Sequence, residues 1–383
     1  MIIGYVLDES LDKPDGVQQY VLNIGAWMKA RGHEVHYIVG ESHRTDLENL
    51  HSMTKNLQVK FNQNRLSTPF PASRPKIKAL FAAHKFDVLH VQMPYSPMMA
   101  GRIISLAPKH SAVVGSFHIL PYSKHQTYAN QALGLWLRRN AKRFDSINGV
   151  SLPAAVFATK TLGREAGVMP NVVNVEEMSK GRKIAAYGDG KLNIVFLGRL
   201  VERKGCIELL RAIKLLNDHK KLGNVRLVVC GKGPLAPSLH QYVHQNGLSE
   251  VVEFVGFISE ESKADYLSTA DIAVFPSLGG ESFGIVLIEA MAAGSRVVIA
   301  GNNPGYASVM GDHASQLVDP TNTQALANTL EHFLQDEAAK LAAYRWQTSE
   351  VKRFDINKVG LELESLYSSS VAKRNPRTDN TIR

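Results

Sequence analysis

Two kinds of pattern alternate along the 383-residue chain. Short, largely apolar runs at 2–7, 34–39, 86–91, 113–118, 193–197, 226–230 and 272–275 end at His118 or run into Asp8, Gly40, Gln92, Gly198, Gly231 or Pro276. Such runs read as strands buried on both faces. Between several of them lie segments with apolar residues three and four apart, at 18–30, 260–270 and 323–335, which predict helices. The repeated strand–helix–strand order predicts α/β folding on parallel, doubly wound sheets, whose ligands gather at the carboxyl ends of the strands. Length and pattern together predict two domains, 1–168 and 169–350, joined near Val168-Met-Pro-Asn-Val-Val-Asn174. Residues 176–191 are polar and predict a surface loop. Residues 368–383 are polar and basic with no periodicity, and predict a disordered tail.

The chemistry concentrates in Leu-Gly-Gly-Glu-Ser-Phe-Gly-Ile-Val-Leu-Ile-Glu-Ala-Met-Ala-Ala-Gly, residues 278–294. Gly279 and Gly280 allow a tight turn, helical spacing begins near Phe283, and Gly294 closes the helix. The backbone amides of Ser282, Phe283, Gly284, Ile285 and Val286 at that helix start suit a diphosphate. Glu281 and Glu289 bracket the segment. A fully helical path between them spans about 12 Å, the reach of a sugar plus a ribose. A carboxylate at position 289, among apolar neighbours, is costly to bury without a polar partner. Upstream, one strand delivers Gly198 and Arg199 to its end with Lys204 five residues later, a fork and a point charge able to clamp a diphosphate. The next strand runs into Gly231, Lys232 and Gly233 and repeats the strand-to-glycine-loop design.

Glu281 and Glu289 form a Glu-x7-Glu signature, and with it the chain resembles the family 4 retaining glycosyltransferases. It is closest in pattern to the bacterial phosphatidyl-myo-inositol mannosyltransferases, from the start of the chain to about Tyr367. The resemblance implies a GT-B fold, two Rossmann-like domains facing across a cleft, with a C-terminal helix at 351–367 completing the first. It implies a nucleotide-sugar donor, GDP-mannose above all, and a phosphatidylinositol-type lipid acceptor. Glu281 then touches the transferred sugar, Glu289 holds the ribose, Gly16 meets the donor diphosphate, and Arg199 and Lys204 neutralise the leaving group. His118 takes the place of the family histidine beside the sugar, with Gln18 and Lys124 on the acceptor side. Several positions depart from the family pattern: Asp15 replaces a glycine, Gln92 a histidine, Val172 a glycine and Asn174 an aspartate, and Ile119 and Leu120 replace polar acceptor-site residues. An acid at Asp15 is expected to point away from the diphosphate. Retention by two carboxylates needs a pair about 5 Å apart; the family offers none, so front-face attack by the acceptor hydroxyl is expected. A UDP-sugar or another acceptor, and an inactive nucleotide-sugar sensor, are the alternative functions.

Charge changes this picture in one respect. Residues 51–150 carry a net +12, whereas residues 168–367 carry −3. A basic face on one half of the first domain suits a polyanion. No zinc-finger spacing or RNA-binding aromatic motif accompanies it, so an anionic membrane is expected rather than nucleic acid. Arg74, Lys76, Lys78 and Lys85 interleave with Ile77, Leu80 and Phe81, the pattern of an interfacial helix or of an ordinary surface helix resting on a sheet, and the family resemblance favours the first. The chain begins in a strand with no basic segment ahead of it, unlike a signal peptide, and contains no apolar run of about 18 residues. Cys206 and Cys230 suit a reducing compartment. A monomeric protein, peripheral on the cytoplasmic face of the membrane, is expected. No Asp-x-Asp triple occurs, so no metal is expected at the donor site and no cofactor beyond the substrate. His240 and His244 lack the glutamate of a zinc motif and read as a surface pair.

Overall fold

The computed structural model describes residues 1–12, 16–61, 64–121, 124–311 and 313–375. They fall into two units, Met1–Val172 with Ile356–Arg383, and Val173–Asp355. The first unit contains strands β1 (Ile2–Leu7), β2 (Glu34–Val39) and β3 (Leu50–Ser52). The antiparallel pair β4 (Asn56–Phe61) and β5 (Asn64–Pro69) follows. Then come β6 (Val88–Met93), β7 (Ala112–Phe117), β8 (Ser146–Gly149) and β9 (Gly167–Val168). All but β4 and β5 form one parallel sheet, in the order β3-β2-β1-β6-β7-β8-β9. Alternation along β1 explains its two faces. Ile3, Tyr5 and Leu7 enter the core shared with helices Gly16–Ala30 and Ile356–Arg374, while Val6 enters the opposite core with Arg74–Ala83 and Ala100–Leu106.

The second unit has six parallel strands: β10 (Leu192–Leu197), β11 (Val225–Cys230), β12 (Val252–Gly256), β13 (Ile272–Phe275), β14 (Val298–Gly301) and β15 (Leu317–Val318). Their order is β12-β11-β10-β13-β14-β15. The winding therefore reverses between β10 and β13, and ligand crevices of doubly wound sheets open at that reversal. In the first unit the reversal lies between β1 and β6. Cys206 and Cys230 are buried free thiols in the second unit.

Three expectations are corrected. The tail does not begin at residue 368: the last helix runs Ile356–Arg374, with Tyr367 and Ser370 buried and Arg374 Nε donating to Asp145 Oδ1 at 2.7 Å. The polar composition hid a helix anchored by tertiary contacts; residues 376–383 lie outside those described. Residues 351–354 do not open that helix but form a separate 3-10 turn, and Val173, in the second unit, bridges Asp355. Val172 is instead buried in the first unit's core beside Ile356 and Val359, and Asn174 caps a short helix, Val175–Met178, by accepting from Glu177 N at 3.0 Å. That helix overlaps the start of the span read as loop, 176–191.

Helix Arg74–Ala83 buries Ile77 and Leu80 and exposes Arg74, Lys76 and Lys78. Among the described residues, no helix is long and apolar enough to cross a membrane.

Candidate active site

In the second unit the loop after β13 carries Ser277, Gly279, Gly280 and Glu281 to the strand reversal. Gly280 has φ +71°, a left-handed conformation that a side chain strains. The helix that follows is Ile285–Ala292, so Ser282, Phe283 and Gly284 precede it. Glu281 and Glu289 therefore do not lie along one continuous helix, and the 12 Å helical rise between them does not apply. Within that turn Phe283 is buried and packs edge-on against Phe354, with centroids 5.4 Å apart. Gly294, at φ +85°, ends the helix as expected.

Glu281 is the centre of a charged cluster. Its Oε1 accepts from Arg203 Nη1 at 2.6 Å, Lys204 Nζ at 2.7 Å and Ser277 Oγ at 2.7 Å. Its side chain is 14% exposed. Burial works against ionisation, but Lys204 and Arg203 outweigh it and hold the carboxyl below its ordinary range. None of the three bonds uses Oε2. Arg203 and Lys204 belong to the turn Glu202–Lys204 after β10, and Leu278 N donates to Arg203 O at 2.8 Å, which locks the two loops together. Arg199 lies half-buried just after Gly198 on the same connection.

The glycines have a structural reason of their own. A Cβ at Gly231 would lie 1.9 Å from Gly198 O, so the loops after β10 and β11 pass backbone against backbone. Gly233 sits in the same loop, and Lys232 is exposed with its ammonium 6.0 Å from the Phe257 ring centroid. Glu289 faces Lys263 Nζ at 2.8 Å, and that ammonium also meets Glu260 at 2.6 Å. Burial pushes the Glu289 carboxyl up, although Lys263 pulls it down.

In the first unit His118 follows β7. Its Nε2 lies 2.8 Å from Gln92 Oε1, so the proton sits on Nε2 and Nδ1 is left as the acceptor. Burial holds the ring down at about 3, neutral at pH 7. The Nε2 of Gln92 is buried with no partner among the described residues. His90 is structural: it bonds Tyr367 Oη at 2.6 Å and Ser116 Oγ at 2.8 Å. Gly16 opens helix Gly16–Ala30, and Gln18 is buried there, donating to Glu9. Asp15 lies outside the described residues, and Lys124 is placed only as the first residue of helix Lys124–Ala141.

The structure thus brings Lys204 and Glu281 together. It adds Arg203, Ser277, Lys263 and Gln92, which sequence reading passed over as site residues. Arg203 adjoins Lys204 and Ser277 stands four residues before Glu281, so both were within reach of the motif. Lys263 comes from a separate helix, Glu260–Thr269, and only packing reveals it.

Two parallel doubly wound units, with glycine loops and the Glu281–Lys204–Arg203 cluster at a strand reversal, define a glycosyltransferase of the GT-B class. The family described as "Glycosyltransferase Family 4" matches residues 14–177, and "Glycosyl transferases group 1" matches residues 179–349. The phosphatidyl-myo-inositol mannosyltransferase of Mycobacterium leprae is 30% identical over 378 residues, spanning 96% of this chain and 97% of the relative. That of Mycolicibacterium smegmatis is 29% identical over 373 residues, spanning 96% and 94%. The chain belongs to glycosyltransferase family 4. Two solved structures share its fold. Sucrose-phosphate synthase from Thermosynechococcus elongatus has TM-score 0.76 and 20% identity, covering 97% of this chain and 99% of its own. Anabaena HepE, in complex with UDP and glucose, has TM-score 0.72 and 19% identity, covering 96% and 100%.

Proposed function

We propose that this glycosyltransferase moves mannose, with retention, from GDP-mannose to a phosphatidylinositol-type lipid at the cytoplasmic membrane face. The observation that carries the reading is the end-to-end similarity to mannosyltransferases of that name, 30% identical across 96% of the chain. In the proposed reaction the acceptor hydroxyl attacks the anomeric carbon from the face that the diphosphate leaves. The new C–O bond forms as the old one breaks, and the hydroxyl proton passes to a diphosphate oxygen.

Lys204 and Arg199 take up the leaving charge, helped by the amides before and within the first turn of helix Ile285–Ala292. An ammonium has three donors, so the bond from Lys204 to Glu281 leaves two for phosphate oxygens. Glu281 acts twice here: Oε1 aims the cations and Oε2 meets a sugar hydroxyl. Glu289 holds the ribose, and neutral His118 accepts a hydrogen bond from a sugar hydroxyl at Nδ1. Gly231 and Gly233 shape the nucleotide loop, and Arg74, Lys76 and Lys78 meet anionic lipid.

A panel of nucleotide sugars, incubated with phosphatidylinositol vesicles and EDTA, tests this reading. GDP release matched by mannolipid is the expected result. Turnover restricted to a UDP-sugar would replace the donor assignment, and binding without turnover on any donor would make the chain a sensor.

A further inference from the structure

Away from the candidate active site, three histidines from separate elements converge in the first unit. His36 lies in β2, His51 in β3, and His84 is the residue that ends helix Arg74–Ala83. One nitrogen from each lies within 4.8 Å of the others. We propose that His36, His51 and His84 bind one divalent transition-metal ion, zinc by ligand chemistry, which pins the end of helix Arg74–Ala83 to the β2–β3 edge.

The bonding around His36 has the form of a metal-ligating histidine. Its Nε2 lies 2.7 Å from Glu34 Oε1, and its Nδ1 lies 2.9 Å from His51 Nε2. A carboxylate on the far nitrogen fixes the proton there and leaves the near nitrogen as a bare lone pair, the arrangement that orients ligating imidazoles. The His51 Nε2 proton then occupies the position a metal would take. On metal binding that proton moves to the other nitrogen of His51, so three neutral rings hold the ion.

The remaining geometry agrees. The His36 and His84 ring centroids are 4.4 Å apart, and those of His51 and His84 are 5.4 Å apart. Nitrogens on a tetrahedral zinc ion stand about 3.3 Å apart, so a pair at the 4.8 Å limit closes by about 1.5 Å, a movement that rotation of the two side chains supplies. Phe86 packs edge-on to His36 at 5.1 Å, giving an apolar shell, while His51 and His84 are half-buried and open to entry. The helix end also favours a cation. Lys76 opposes it, but its ammonium donates to Ser52 O at 2.6 Å, and Glu34 offsets the charge.

This site is separate from the reaction. His36 is level, through Gly4 and Leu89, with Val113 in β7, whereas His118 lies five residues further along. That places the cluster roughly 16 Å toward the amino ends of the strands.

The test uses tag-free, full-length protein, titrated with Zn²⁺ against a chromophoric chelator. One equivalent should bind. His51→Gln and His84→Gln should abolish it, Glu34→Gln should weaken it roughly 10–100-fold, and His240→Gln with His244→Gln should leave it intact. His51 and His84 are chosen because buried His36 risks unfolding, and circular dichroism confirms that the variants fold. Amide exchange across residues 74–84 should slow with Zn²⁺ in the wild type only. Absence of stoichiometric binding, or equal binding by the His51 and His84 variants, overturns the site. Binding with unchanged exchange overturns the pinning.

Discussion

Oε1 of Glu281 is the point on which two cations and a hydroxyl meet, and the division of labour between the two acids can be tested there. Glu281→Gln loses the charge that aims Lys204 and Arg203, so turnover should fall by more than nucleoside diphosphate affinity. Glu289→Gln should do the reverse, because its carboxylate is assigned to the ribose. Titration of bare GDP beside steady-state kinetics separates the two, and equal losses of binding in both variants would sink the assignment. Arg199→Ala or Lys204→Ala should each cost about 2–4 kcal/mol of transition-state stabilisation, the range for removing one preorganised donor. Near-native turnover of either variant in EDTA would remove it from the clamp.

At the scale of elements, helix Arg74–Ala83 packs through Ile77 and Leu80 and leaves its cations to solvent. Each cation near an anionic surface contributes about 1 kcal/mol, and exposed charges are screened beyond about 8 Å at physiological salt. Replacing Arg74, Lys76 and Lys78 by serine should therefore abolish salt-sensitive co-sedimentation with anionic liposomes. It should also lower activity on lipid-embedded acceptor, while hydrolysis of the sugar nucleotide stays nearly unchanged. Equal wild-type binding to neutral and anionic lipid would mean that the basic face serves only solubility.

At the scale of the whole molecule, the second unit is continuous in sequence, but the first is completed by a helix from the chain's far end. Ile356, Val359, Leu363 and Tyr367 fill the core against which Tyr5, Tyr20 and Ile24 pack. Residues 173–355 alone should melt cooperatively and bind GDP, whereas residues 1–172 alone should not fold. Tyr367→Ala in the full chain should cost about 3–5 kcal/mol, from the lost aromatic volume and the orphaned Nδ1 of His90. Chemical denaturation checks both, and a cooperative transition from residues 1–172 would contradict this account.

Local chemistry carries the parts legible in the sequence. Apolar runs with glycine ends announce the parallel strands, because strands buried on both faces have no polar alternation. Gly280 and Gly294 announce the loop and the end of the helix, because a positive φ selects glycine directly. What the tertiary structure alone decided rests on contacts between distant segments. The pairing of Lys263 with Glu289, the join of Val172 to the C-terminal helix, and the extension of that helix to Arg374 all depend on neighbours far along the chain. The meeting of His36, His51 and His84 is of the same kind. Sheet order sets which loops become neighbours, and a residue's own periodicity contains no record of that order.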